Sequence, residues 1–192
     1  MSKRVIVIGG GPGGYVAAIR ASQLGAAVTV VEKHKLGGTC LNVGCIPTKV
    51  LLHSAELYTA MRNEGRTIGI FADNLRFDWS VIMNRKNEVA DYLVECVGGL
   101  LRSHGVERIE GTARMTGPNT VEAGGKVIKA DAVIIATGSE PAVPPIPGLD
   151  LDGVLTSDQA LSLNSFPKKI AIAGGGVIGA EFASVLASFG AS

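Results

Sequence analysis

The stretch "RVIVIGGGPGGYVAAIRASQLGAAVTVVEK", Arg4 to Lys33, decides the fold. Val5 to Ile8 is a short continuous apolar run, the pattern of a parallel strand buried on both faces. Gly9 to Gly14 form a turn. Tyr15 to Leu24 carry small and apolar residues at helical spacing, and Gly25 ends that run. Val28 to Val31 make the next strand, closed by Glu32. This order predicts a βαβ unit. Gly9, Gly11 and Gly14 have the spacing G-x-G-x-x-G. The first permits a tight turn, the second lets a pyrophosphate approach the backbone, and the third allows close helix–strand packing. The helix N-terminus offers N–H groups and a positive dipole end to phosphates. Glu32 can accept hydrogen bonds from ribose hydroxyls. Strand, turn, helix, strand and acid together predict a dinucleotide site.

The pattern returns near the end of the sequence, in "KKIAIAGGGVIGAEFASVLASFGAS". Shifted by 165 residues, Lys3 falls on Lys168, and Gly9, Gly11 and Gly14 fall on Gly174, Gly176 and Gly179. A second dinucleotide-type βα unit is therefore expected, with a strand at Ile170 to Ala173 and a helix at Val177 to Phe189. Between the repeats, helices are expected from Pro47 onward and over Asn84 to Ser103. Val106 to Ala136 reads as short strands broken by "TGPNT" and "AGGK", an antiparallel meander whose last run, "AVIIATGS", is expected to be buried. "EPAVPPIPG" reads as a connector. A short helix is expected around Asp158 to Leu163.

Composition narrows the function classes. Apolar residues are 46% of 192, which predicts a packed interior rather than disorder. The 26 glycines are near double the usual share of about 7%. Net charge is +1 with no strongly basic stretch, so nucleic acid is not an expected partner. No apolar run approaches the roughly 20 residues of a membrane span. The N-terminal run stops at glycines without a cleavage pattern, and a cytoplasmic location is expected.

The three cysteines are Cys40, Cys45 and Cys96, the first two within "GGTCLNVGCIPTK". A metal clip, a structural disulfide and a redox pair compete for them. Zinc wants four ligands, and no partner stands at suitable spacing. A cytoplasmic domain has little use for a structural disulfide. The redox reading is favoured. In a regular helix residues five apart are separated by about 7.5 Å along the axis. A disulfide wants Cα atoms closer than about 6.8 Å, so bridging needs an irregular segment, which Asn42 and Gly44 permit. Cys45 stands just before the helix that Pro47 opens, and a helix N-terminus favours a thiolate. Cys96 reads as a buried small apolar residue. Trp79 reads as a packing residue, and His34, His53 and His104 as structural or solvated ones.

"GGTCLNVGCIPTKVLLHSA", the opening fingerprint with "VVEK", the "ATGS" and the second "GGGVIGAE" together resemble the class I pyridine nucleotide-disulfide oxidoreductases, and among them the dihydrolipoamide dehydrogenases. The resemblance implies an α/β chain in three parts. Residues 1–140 would be an FAD-binding Rossmann-like domain, a βαβ unit with an antiparallel meander and a redox disulfide. Residues 141–150 would be a Pro-rich connector. Residues 151–192 would be the incomplete beginning of a Rossmann-like NAD-binding domain. FAD would lie on Gly9, Gly11, Gly14 and Glu32, with Lys33, Gly38 and Thr39 along the segment toward the first cysteine. Lys49 would stand near the reactive edge of the flavin. Ala113 would contact the adenosine portion, and Thr137, Gly138 and Ser139 would pass the cofactor. Gly174, Gly176 and Gly179 would serve NAD. Cys40 would be the thiol that meets the dithiol substrate, and Cys45 the thiol against the flavin. Glu181 would form a buried ion pair with Lys49. No metal is implied.

The implied activity is oxidation of dihydrolipoamide to lipoamide with NAD+ as acceptor. The implied partners are lipoyl-bearing proteins of 2-oxoacid dehydrogenase or glycine cleavage complexes, and a second copy in a homodimer. Family members run to more than twice this length, so the chain reads as the N-terminal part of such an enzyme, inactive alone. The alternatives are a non-catalytic flavin-binding fragment, or a parent of the mercuric or glutathione reductase type.

Overall fold

A computed structural model describes residues 2–192. In chain order it contains β1 (Arg4–Ile8), α1 (Pro12–Gln23), β2 (Ala27–Glu32), α2 (Gly38–Asn42), α3 (Cys45–Asn63), a 3-10 turn (Gly65–Ile68) and α4 (Trp79–Ser103). There follow β3 (Glu107–Glu110), β4 (Arg114–Gly117), β5 (Thr120–Ala123), β6 (Lys126–Lys129), β7 (Ala132–Ile135), α5 (Ser157–Ala160) and α6 (Val177–Ser188). The chain divides into two compact units. One holds the residues up to Asn42 with Asp91–Glu140, the other Val43–Ala90 with Pro141–Ser192.

The first unit is built on a parallel sheet of order β3-β2-β1-β7. Alternation along β1 explains its continuous apolar run. Val5 and Val7 face the helices, packing with Ala18 of α1 and with Val97 and Leu101 of α4. Ile6 and Ile8 face the other way, toward Val121, Ala123 and Ala130 of the antiparallel sheet β4-β5-β6. Both faces of the parallel sheet are thus covered, and Val7 and Val30 are fully buried.

Val106 to Ala136 departs from a simple meander. Only β4, β5 and β6 pair antiparallel; β3 and β7 join the parallel sheet beside β2 and β1. Nor is the run at Ala132–Ile135 buried as expected. β7 is an edge strand, and Ile135 is 67% exposed. Parallel pairing is non-local, so sequence periodicity does not reveal it. Cys96 is also exposed rather than buried, because it lies on the solvent side of α4.

The second unit is helical around an aromatic core. Leu51 and Ala55 of α3, Trp79 and Met83 of α4, and Phe182, Val185 and Leu186 of α6 form one buried cluster with Phe189. Phe189 lies 4.7 Å from Phe77 and 5.4 Å from Tyr58, ring centre to ring centre. Trp79 packs edge-on to Phe166 and donates its indole N–H to the Leu163 carbonyl at 3.1 Å, so it is the packing residue expected. Removing the Phe189 ring should leave a cavity that this cluster cannot close. Phe189→Ala should cost about 3–5 kcal/mol, read as a lower urea midpoint at unchanged slope.

Several boundaries differ from the sequence reading: α1 begins at Pro12 rather than Tyr15, α3 at Cys45 rather than Pro47, and α5 covers Ser157–Ala160 rather than reaching Leu163. α4 starts at Trp79 rather than Asn84 because Asp78 caps it. The Asp78 carboxylate accepts from the Ser80 hydroxyl at 2.6 Å, the Ser80 N–H at 2.9 Å and the Val81 N–H at 3.2 Å. These bonds, the Ser80 hydroxyl first, hold its carboxyl below the ordinary aspartate value. A depressed folded pKa stabilises above the unfolded value, about 3.9, and the contribution is lost as pH falls through the folded one. Urea midpoints of wild-type and Asp78→Ala proteins should therefore differ at pH 7 and converge below about pH 4. The expected strand at Ile170–Ala173 does not form. Ile170 N–H bonds to the Ser192 carbonyl and Ser192 N–H to Lys168, but no strand among the described residues lies alongside to build a ladder.

Candidate active site

Parallel strands in register end together, and this assembles the predicted nucleotide residues of the first unit. Ile8 aligns with Val31 and with Ile135, and Glu32 aligns with Glu110. The Gly9–Gly14 turn, Glu32, Ala113 just beyond β3, and Thr137–Ser139 just beyond β7 all follow these carboxyl ends. Ligands of open α/β sheets bind at that edge.

The three glycines of the turn differ in what requires them. Gly9 has φ +106, and a Cβ there would overlap the Ala136 carbonyl oxygen. A Cβ on Gly14 would overlap the carbonyl oxygen of Gly9. Both are demanded by the protein's own packing. Gly11 is not: its φ is −75, and a Cβ would meet only Gly38 Cα at 3.4 Å, ordinary contact. Its missing side chain leaves that space open rather than relieving a clash. No side chain caps α1 either, so the space at its N-terminus suits a phosphate group. Glu32 closes the turn. Its Oε2 accepts from Gly10 N–H at 2.6 Å and its Oε1 from His34 N–H at 2.8 Å. A carboxylate offers about four acceptor sites, so capacity for ribose hydroxyls remains.

Cys40 lies half-buried in α2. This short helix is fixed to the turn by Gly38, whose φ of +61 brings it close enough that a Cβ would stand 2.7 Å from Gly11 Cα. Asn42, read from sequence as a residue permitting irregularity, is instead a tether. Its amide donates to the carbonyls of Leu36 at 2.9 Å and Gly38 at 3.0 Å. The signal available was its spacing, four residues after Gly38. Thr39 is exposed, and Lys33 is a surface residue 3.6 Å from Glu140.

The second unit carries Cys45, Lys49 and Glu181. Gly44 is the N-cap of α3, so exposed Cys45 is its first residue. Lys49 follows four residues on, one turn later and on the same side of the helix. Thr48, which the sequence reading passed over, donates its hydroxyl to the Gly44 carbonyl at 2.7 Å and steadies this first turn. Lys49 Nζ lies 2.5 Å from Glu181 Oε1, joining α3 to α6. The pair forms as expected but is not buried: the side chains are 56% and 23% exposed. Its contribution to stability is therefore at most about 1 kcal/mol rather than that of a buried pair. The second fingerprint repeats the logic of the first. Gly174 has φ +117 and a Cβ on Gly179 would overlap its carbonyl oxygen, whereas Gly176 has open space around it. Among the described residues no cluster of His, Cys, Asp or Glu could hold a metal, and no helix is long and apolar enough to cross a membrane.

The sequence profile of the pyridine nucleotide-disulphide oxidoreductases matches residues 3–192. The chain belongs to that family. Within the family it is 46% identical to dihydrolipoyl dehydrogenase of Acholeplasma laidlawii, covering 99% of this chain and 58% of that protein. It is 45% identical to dihydrolipoyl dehydrogenase of Bacillus subtilis, covering 97% of this chain and 42% of that one. Among solved structures of the family, the HOCl-induced flavoprotein disulfide reductase RclA from Escherichia coli superposes with a TM-score of 0.84 at 33% identity. That match covers 98% of this chain and 40% of the reductase.

Proposed function

We propose that the protein is a flavoprotein disulfide oxidoreductase that oxidises dihydrolipoamide to lipoamide and reduces NAD+. The observation that carries this is Gly11, a glycine that the fold does not need and a bound pyrophosphate does, in a chain that also places Cys45 at a helix N-terminus one turn before Lys49. FAD would be held by Gly9, Gly11, Gly14 and Glu32, with Lys33, Gly38, Thr39, Ala113 and Thr137–Ser139 along it. NAD would be held by Gly174, Gly176 and Gly179. When bound, FAD supplies a two-electron acceptor for the thiols.

The thiol steps use this chain's own residues. In the oxidised protein Cys40 and Cys45 share a disulfide. One sulfur of dihydrolipoamide attacks Cys40, and the bond to Cys45 breaks. Cys45 leaves as a thiolate at the first residue of α3, where the helix dipole stabilises negative charge. The second substrate thiol then attacks its own mixed disulfide, closing lipoamide and releasing Cys40. The pair now carries two electrons, and the two substrate protons go to a base expected outside these residues. Lys49, oriented by Glu181, places a positive charge beside this turn of α3. Residues 1–140 would act as the FAD part, 141–150 as connector and 151–192 as the start of the NAD part.

Partners would be lipoyl-bearing proteins of the 2-oxoacid dehydrogenase or glycine cleavage complexes, in the cytoplasm, with the enzyme a homodimer. The similarity to dihydrolipoyl dehydrogenases at 46% and 45% identity supports the lipoamide reading over mercuric or glutathione substrates. Steady-state rates with dihydrolipoamide, glutathione and mercuric ion under NAD+ or NADPH test it. Faster turnover of glutathione disulfide than of the lipoyl couple would overturn the substrate assignment.

A further inference from the structure

We propose that Asn42 is a positioning residue: its side chain orders the segment that carries Cys40 and so biases the Cys40–Cys45 pair toward the disulfide. This rests on the thiol-pair reading above. Left to itself the segment would be loose. Gly37 and Gly38 have φ of +95 and +61, Gly44 follows, and glycine has the widest backbone freedom. α2 has only five residues, too few to hold a helical turn by its own hydrogen bonds. The Asn42 carboxamide supplies what is missing. Its Nδ2 donates to the Leu36 carbonyl at 2.9 Å and to the Gly38 carbonyl at 3.0 Å, bonds that bracket the two glycines. Leu36 is 1% exposed and packs in the core of the first unit, so the tether runs to a fixed point. Cys40 lies inside the loop that these bonds close, two residues before Asn42.

The consequence for the thiols follows from linkage. Forming the disulfide fixes residues 40–45, and the chain freedom lost there opposes closure. A tether on Asn42 gives up part of that freedom while the thiols are still reduced. Closure then costs less, and the tether and the disulfide stabilise each other by the same factor. Two hydrogen bonds of modest net strength set that factor at about tenfold, or about 30 mV for a two-electron couple.

The test is a redox titration of the holoprotein in buffers of reduced and oxidised dithiothreitol. As the pair opens, the two thiols of dithiothreitol close to their ring disulfide, and two electrons and two protons pass to Cys40 and Cys45. Acid quenching, alkylation and peptide mass give the reduced fraction, with flavin absorbance and melting temperature read beside it. Asn42→Ala should reach half reduction at about a tenfold lower ratio of reduced to oxidised dithiothreitol than wild type. Asn42→Ser keeps a hydroxyl four residues after Gly38, the spacing at which Thr48 donates to Gly44 at 2.7 Å and Ser54 to Val50 at 3.2 Å. Its midpoint should fall between the other two, which tests the idea even where the alanine variant folds poorly. Wild-type midpoints in the variants, or a shift toward the disulfide, would overturn the inference and leave the thiol pair standing. A lower melting temperature with an unmoved midpoint would likewise overturn it, reducing Asn42 to a structural residue. Wild-type thiols that never oxidise together would overturn the thiol-pair reading, and this inference with it.

Discussion

Under the proposed function, Cys45→Ser should lower dihydrolipoamide turnover by at least about a thousandfold while flavin stays bound. The proposed reaction needs a disulfide to receive the substrate thiol, and a serine oxygen cannot form one. Residues that act as a unit lose nearly everything when one is removed. Stability should hardly change, because Cys45 is exposed and contributes no core surface. Cys40→Ser should lose turnover to the same extent, since either change leaves a lone thiol. The measurement is NAD+ reduction by dihydrolipoamide, with visible absorbance as the control for flavin. Residual activity above about a tenth of wild type would show that electrons reach NAD+ without the pair.

Gly11→Val should release the flavin without unfolding the protein. Gly11 has an ordinary φ, and an added Cβ meets Gly38 at van der Waals distance. The added Cβ thus fits the empty turn, while the valine side chain would occupy the space proposed for a pyrophosphate. An affinity loss of about a hundredfold or more is expected, as for a phosphate group deprived of its N–H contacts. Gly14→Val should behave differently. Its Cβ would overlap the Gly9 carbonyl, so it should destabilise the fold itself. Absorbance near the flavin bands, far-UV dichroism and melting temperature separate the two effects. A Gly11→Val protein with full flavin content would refute the assignment of this turn.

Much of the first unit was legible from local signals. β1, α1 and β2 follow from an apolar run, a helical pattern and glycine punctuation, all set by near neighbours. So is Glu32, because the acid at the end of β2 is a local feature of the βαβ unit. What escaped was non-local. Ala132–Ile135 reads as a buried strand of a meander, but it pairs parallel to β1 across more than a hundred residues and forms an edge. Ile170–Ala173 reads as a strand, but a strand needs a ladder partner and the described residues supply none. Cys96 has a helical pattern around it, yet the face it occupies depends on which side of α4 the sheet covers.

The sequence by itself determined the first βαβ unit and the helix of its repeat, because each is written in residue types within a few positions of one another. Only the tertiary structure decided which glycine is spare. Gly9, Gly11 and Gly14 look alike in a motif, but overlap with Ala136 and Gly9 carbonyls occurs in space, between segments distant in the chain. It also decided the character of the Lys49–Glu181 pair. Its two residues are 132 apart, and solvent exposure, which sets the strength of an ion pair, is a property of the packed α3 and α6 rather than of either residue.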